Sequence, residues 1–272
     1  MSNIYYLNSR NESVDFVEDF PLLDIDDLFG NSFTNITNNN VITGFKNEIK
    51  NYTIEGDEPV LDIDNITDIF DYDIYNNVRG QFYIGQYFMF CNIIGSDLSN
   101  VNIHRKKLKN KLTVTTDTPY WIKETRFSFV KSLEVKTNGF TYPFEYPFTY
   151  GSGTGASSFV NDSIKDSNFK MIIYGPVSNP SVSVNGNIYT VSTEVLASEY
   201  LVIDSINRKA YKVGMNGEKT NVFSKRGLDF DIFTKFPSGR NTIQWSGAFG
   251  FDLYIYDERS KPKWISSIQE MI

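Results

Sequence analysis

An all-β chain, with short helices at most, is what this sequence predicts. Three stretches of its last third carry that reading. FKMIIYGPVSNPSVSVNGNIYTV, EYLVIDSINRKAYKV and IQWSGAFGFDLYIYDERS are short apolar or alternating runs punctuated by Gly, Pro and Asn. Such runs belong to a sandwich of antiparallel strands, each packing one face inward and turning the other out. A sheet of that kind offers no ready catalytic set, so function is to be sought in surfaces and assembly.

At 272 residues the chain fits two compact units better than one. Aromatics at 15% and apolar residues at 40% are too plentiful for disorder. No window reaches eighteen apolar residues, so no membrane segment is expected. The start, MSNIYYLNSRNESVDF, lacks a basic flank before an apolar run and does not read as a secretory signal. The single cysteine, Cys91 within FYIGQYFMFCNII, reads as a buried small hydrophobe, and no disulfide is expected to hold the fold.

The elements follow in order. IYYLNSR and VDF open the chain as short strands, followed by polar NSFTNITNNN and GFKNEIKNYTIEG; Asn, Thr and β-branched residues make these poor helices. Within residues 62–75, Ile66, Ile69 and Phe70 share one helical face, so a short helix fits there, with extended loop as the alternative. GQFYIGQYFMFCNII is strand material in which Gly80 and Gly85 allow a bend or bulge. KLTVTTDTPYWI alternates up to Pro119, where a turn or edge begins, and ETRFSFVKSLEVK is the next alternating strand.

Composition then changes sharply. In NGFTYPFEYPFTYGSGTGASSFVNDS the triplet Tyr-Pro-Phe occurs twice at a spacing of four. Aromatics separated by proline form no regular helix, but they can strap one domain to another by filling shallow apolar grooves. Tyr142, Phe144, Tyr146 and Phe148 are therefore expected in interdomain packing, with a sugar-stacking platform as the alternative. Beyond them, residues 169–173 and Ser181–Val184 are strands, and Asn185 and Gly186 give a strong hairpin signal. Residues 201–204 and Lys209–Val213 form a similar pair, Asn216 and Gly217 reverse the chain, and Pro237, Ser238 and Gly239 turn into a strand over 241–245. LYIYDERS is the terminal strand.

A net charge of −7 and a pI near 4.9 argue against nucleic-acid recognition, which needs a concentrated basic surface. Locally the signs separate: His104, Arg105, Lys106, Lys107, Lys109 and Lys111 cluster, whereas DFVEDFPLLDIDDLF and LDIDNITDIFDYDIY are acidic. Such separation suits electrostatic matching between copies or with a partner, or simply two differently solvated faces.

The chemistry of a reaction centre is missing. One histidine among lysines and one cysteine supply no metal cluster and no triad, so no catalytic, cofactor or metal site is expected. Asp62, Asp64, Asp68, Asp71 and Asp73 have the composition of a metal loop but not the glycine turn and terminal glutamate of an EF-hand. Dispersed carboxylates leave a glycosidase pair open by count alone. GSGTGASS lacks the GK[ST] ending of a phosphate loop. Arg240 and Arg259 read as polar anchors across a boundary or as ordinary surface pairs, and Trp121, Trp245 and Trp264 as core or interface packing.

Taken in order, YYLNSRNESVDF, GQFYIGQYFMFCNII, TTDTPYW, YPFEYPFTYG, IIYGPVSNPSVSVNG, YLVIDSINRKAYKV, FPSGRNTIQWSG and DERSKPKW resemble the distal tail protein family of bacteriophages and phage-derived tail particles, over nearly the whole chain. The resemblance implies an N-terminal β-rich belt domain, residues 1–135, that forms a ring, and a C-terminal galectin-like β-sandwich, residues 136–272, with YPFEYPFTYG as the crossover. It further implies a structural homo-hexamer at the virion tail tip or baseplate, assembled in the bacterial cytoplasm. The implied partners are the tail tube protein, the baseplate hub or tail-associated protein, and receptor-binding components. A carbohydrate-binding module contacting a host glycan is the alternative, since a galectin-like shape does not by itself confer sugar recognition. Arg105, Lys106, Lys107, Lys109 and Lys111 are expected on an exposed loop or edge used in assembly, because unpaired cations are costly to bury and guard an edge against strand addition. The acidic segment 62–75 receives no role from the resemblance.

Overall fold

The computed structural model describes residues 4–24, 33–39, 41–46, 48–59, 63–102, 107–131 and 155–261. They form two compact units, one reaching Lys123 and resuming at Glu258, the other Glu124–Asp257. The expected division at 135/136 lies outside the described residues, as do Arg105, Lys106 and the aromatic segment with Tyr142, Phe144, Tyr146 and Phe148.

The first unit holds β1 (Ile4–Leu7), β2 (Ser13–Asp15), β3 (Leu22–Asp24), β4 (Thr34–Asn38), β5 (Val41–Lys46), β6 (Lys50–Pro59), α1 (Ile63–Tyr75), β7 (Gly80–Ile84), β8 (Tyr87–Asn102), β9 (Lys107–Thr116) and the start of β10 (Trp121–Phe129). Strand β8 is long enough to serve two ladders. Its first residues pair with β7, its later ones with β9, and a register shift falls at Ile93 and Gly95. One ladder continues through β7 to β1 and β2, the other through β9 to β6 and β3. The expected helix is present as α1, the one α-helix among the described residues. Ile66 and Phe70 are buried and Ile69 partly so, against a core that includes Tyr6, Phe16, Phe82, Met89, Cys91, Val114 and Trp121. That apolar stripe, not helix propensity, favours the helix over a loop in this Asp-rich stretch.

One reading needs correction. GQFYIGQYFMFCNII is strand material as expected, but Gly85 serves a hairpin turn rather than a bend or bulge: Tyr83 and Ile84 pair back onto Phe88 and Tyr87. Nor does Gly80 mark a bulge. A Cβ there would collide with the Tyr6 hydroxyl and a carboxylate oxygen of Asp73.

The second unit holds the rest of β10, then β11 (Gly155–Asn161), β12 (Asn168–Tyr174), β13 (Val177–Ser178), β14 (Ser181–Val184), β15 (Asn187–Thr190), β16 (Glu194–Val195), β17 (Tyr200–Asp204), β18 (Lys209–Val213), β19 (Lys219–Asn221), β20 (Gly239–Trp245) and most of β21 (Phe251–Arg259). Strands β19–β18–β17–β12–β21–β10 form one sheet and β11–β20–β14–β15 another. Phe169, Met171 and Ile173 of β12 and Leu253 of β21 join Val182 and Val184 of β14, Tyr189 of β15 and Ile243 of β20 in one buried cluster, which makes this unit a sandwich. Phe236 fills its middle, with ring centroids 4.3 Å from Phe169 and 5.4 Å from Tyr189. The hairpin at Asn185 and Gly186 forms as expected. Their φ values of 50° and 87° give the doubly left-handed turn whose twist matches the flanking strands.

Candidate assembly surfaces

The basic strand is built into a mixed-charge strip. Antiparallel register sets Lys111 of β9 opposite Glu55 of β6 on one side and Asp97 of β8 on the other, and Lys109 opposite Asp57 and Ser99. Lys109, Lys111 and Asp97 are exposed, and the Lys111 Nζ lies 3.3 Å from Glu55 Oε1. Both side chains of that pair are about half exposed, so it contributes at most about 1 kcal/mol. Lys107 pairs with Pro59 and Asn102 at the end of the ladder. Lys109 and Lys111 thus face carboxylates of their own chain, an arrangement that only register discloses.

A second surface was not singled out from sequence. Strands β4 and β5 pair only with each other among the described residues. Apolar side chains stand exposed along the hairpin and beside it: Val41 at 63%, Phe45 at 67% and Ile49 at 72%, with Phe33, Ile36 and Ile42 close behind. An isolated two-stranded hairpin is marginal in water, and apolar side chains on it gain nothing until something covers them. The sequence signal was the strand pattern itself, and no pattern records whether a strand's apolar side finds cover.

The acidic helix has a structural use. Asp73 is fully buried and accepts three hydrogen bonds, from the Tyr6 hydroxyl at 2.7 Å, the Ser9 hydroxyl at 2.6 Å and the Ser9 N–H at 3.0 Å. Burial and the bond to Asp73 push the Tyr6 hydroxyl pKa well above its ordinary value. The carboxylate pins α1 to the turn after β1. Among the described residues no group of His, Cys, Asp or Glu could hold a metal ion. Cys91 is buried and free, and burial pushes its thiol pKa up, away from nucleophilic use.

In the second unit, Asp252 on β21 is buried and accepts hydrogen bonds from Arg126 at 2.7 Å and from the Tyr174 hydroxyl at 2.6 Å. Burial alone would raise this carboxyl. The hydrogen bonds from Ser128, Tyr174 and Arg126 outweigh it and hold Asp252 below the usual range. Burial and the bond to Asp252 push Tyr174 up to about 12. Arg240 is exposed and donates to the Ser158 hydroxyl at 3.3 Å, while Arg259 ends β21 half-buried. Trp121 is core, Trp245 is half-buried at the sandwich edge, and Trp264 and His104 lie outside the described residues. No helix among the described residues is long and apolar enough to cross a membrane.

No family model and no curated protein sequence matches this chain. Solved structures do. The SPP1 Dit (gp 19.1) protein, described as a paradigm of the hub adsorption apparatus in phages infecting Gram-positive hosts, is similar with a TM-score of 0.53 at 7% identity, over 94% of this chain and 98% of that one. Chains of the phage P2 baseplate in its activated conformation are similar with TM-scores of 0.60 with Ca and 0.61 with Sr. Each is 13% identical and covers 95% of this chain and 99% of the other. At these identities the likeness is one of fold.

Proposed function

We propose that this chain is a structural connector of a phage tail or a phage-derived tail particle, closing as a hexameric ring that joins the tail tube to the baseplate hub and carries receptor-binding components. What supports this most is the extent of the fold likeness: 94% or more of this chain and 98% or more of each adsorption-hub or baseplate chain. A sandwich alone is reused for many purposes, but likeness across both units together is far more restrictive. In this reading the N-terminal residues 1–135 are the belt that closes the ring, and residues 136–272 form the galectin-like sandwich. Its place is the virion tail tip or baseplate, and its role is non-enzymatic.

Two surfaces are assigned to assembly. The strand from Lys107 offers the exposed cations Lys109 and Lys111; Arg105, Lys106 and Lys107 are assigned to the same interface, and the β4–β5 hairpin offers apolar side chains uncovered among the described residues. A heterologous contact of this kind, repeated by rotation, closes a ring. Tyr142, Phe144, Tyr146 and Phe148 are assigned to packing at the domain junction. Native mass spectrometry across salt and protein concentrations, with and without the tail tube and hub proteins, is the test. A hexamer supports the reading, and a monomer that persists with those partners present overturns it. Replacing the five cations by Ser should weaken ring formation or tube attachment; unchanged assembly across a salt series removes them from the interface.

A further inference from the structure

The smaller sheet of the second unit ends on β11, and register shows which way the backbone of that strand points. Thr242 of β20 commits both of its main-chain groups to the β14–β15 turn: its N–H donates to Asn185 Oδ1 at 2.9 Å, and its carbonyl accepts the Asn185 N–H at 3.0 Å. Thr242 stands opposite Ser158. Backbone direction alternates along a strand, so Asn241 and Ile243 face β11 and bond Phe159 and Ser157. Ala156, Ser158 and Val160 therefore turn their N–H and C=O groups off the sheet, where no described residue pairs with them.

An open edge invites another strand, and proteins blunt such edges with charge, brevity or cover. The other outer strands of this sandwich are blunted. β15 is covered by its own chain: the Gly227 N–H donates to the Thr190 carbonyl at 3.0 Å, and Arg226 bridges to Val191. β19 is three residues long and begins with Lys219, and β10 carries Glu124 and Arg126. β11 instead runs seven residues, GASSFVN, without a charge, a proline or a shift of register. Side chains beside the open backbone add specificity. Val160 is 52% exposed, and the exposed Arg240, opposite it on β20, donates to the Ser158 hydroxyl at 3.3 Å. A guanidinium carries five donors, and no described carboxylate neutralises this one.

We propose that β11 takes up an extended strand of a partner protein by antiparallel addition. The strand carries an acidic residue opposite Ser158, within reach of Arg240, and an apolar one two positions away, opposite Val160. Main-chain bonds to Ala156, Ser158 and Val160 supply affinity, and the two side-chain contacts set the register. A second copy of β11 is a poor occupant, because two-fold pairing about Ser158 brings two Arg240 guanidiniums together with no carboxylate between them. The inference goes beyond the connector role and holds whether or not a ring forms.

The test is isothermal titration of the full-length protein with a synthetic peptide that alternates threonine and valine around one central glutamate. Its controls replace that glutamate by lysine or methylate every backbone nitrogen. The glutamate peptide should bind saturably with a Kd of about 1 mM or tighter, the lysine peptide at least about fivefold more weakly, and the methylated peptide not at all. Ser158→Pro removes an N–H that the fold does not use, so it should weaken binding about tenfold or more and leave the thermal melt unchanged. Val160→Lys, a charge set on an exposed edge position, should do the same. On binding, hydrogen exchange should slow at Ala156, Ser158 and Val160 but not at Ser157 and Phe159, which already bond β20. No binding of the glutamate peptide, equal binding of the methylated one, wild-type affinity in both variants, or a dimer of the protein alone that Ser158→Pro disperses would each overturn the assignment.

Discussion

The hairpin β14–β15 and the hairpin β4–β5 are alike in size, yet among the described residues only the first is covered. In β14–β15, which reverses at Asn185 and Gly186, Val182, Val184 and Tyr189 are buried, with β20 pairing alongside and β12 packing across the core. In β4–β5, which reverses near Asn39 with its φ of 49°, Ile36, Val41, Ile42 and Phe45 stay exposed and no third strand joins among the described residues. Local pattern makes both hairpins. Distant neighbours decide whether an apolar side chain is then a source of stability or a contact awaiting a partner. The proposed ring supplies that partner from outside the chain, and substitutions on the two sides should therefore separate folding from assembly.

The largest effect is expected where the chain completes itself. Phe236 is buried and touches Phe159, Phe169 and Tyr189, rings carried by both sheets of the sandwich. Phe236→Ala should cost about 3–5 kcal/mol by lost transfer energy and cavity formation. Chemical denaturation followed by tryptophan fluorescence would measure it; a cost under about 1 kcal/mol would mean that the sandwich is not closed around this ring.

A smaller loss is expected from the polar pin of the first unit. Asp73→Ala strands the buried Tyr6 hydroxyl, an unpaired donor that costs about 1–3 kcal/mol, while the exposed Ser9 can turn to water. Gly80→Ala should act on the same pin from the other side, because its methyl would meet the buried Tyr6 hydroxyl. If both variants melt like the wild type, α1 is held by its apolar face alone.

These cases mark what the sequence could and could not disclose. Asn185 with Gly186 and the Ile66/Phe70 stripe were legible because positive φ and helical spacing are local demands. Asp73 was not. Helical spacing sets it on the Ile66/Phe70 face, apart from Asp68 and Asp71, but only folding places a hydroxyl from residue 6 against it. The same holds for Lys111 between Glu55 and Asp97, which depends on two registers, and for Arg126 with Asp252, 126 residues apart.

Asp252 gives a pH test confined to the second unit. Its carboxyl is held below the usual range in the fold, so the stability it contributes is fully present above the unfolded value of about 3.9 and is lost as pH falls through the lower folded value. The melting temperature of the wild type should therefore fall on acidification below about pH 4 more than that of Asp252→Asn, which lacks the titrating carboxylate. Parallel acid profiles for the two proteins would show that Arg126 and Tyr174 do not stabilise the ionised form.

The smallest effect on folding, and the sharpest on assembly, is expected in the unfinished hairpin. Phe45 and Ile42 are 67% and 53% exposed, so Phe45→Ser with Ile42→Ser removes little buried surface from the single chain. Its stability should change by no more than about 0.5 kcal/mol, the ordinary range for surface substitutions. If a neighbouring copy covers these side chains, however, each loses about 1.5–3 kcal/mol of burial when truncated, enough to shift ring formation to protein concentrations tenfold higher or more. Denaturant melts paired with native mass spectrometry over a concentration series would separate the two quantities. A variant that unfolds more readily would mean the hairpin is already covered within its own chain. One that keeps both its melt and its ring would leave the contact to the cations of β9, where added salt should then weaken assembly while leaving an apolar contact intact.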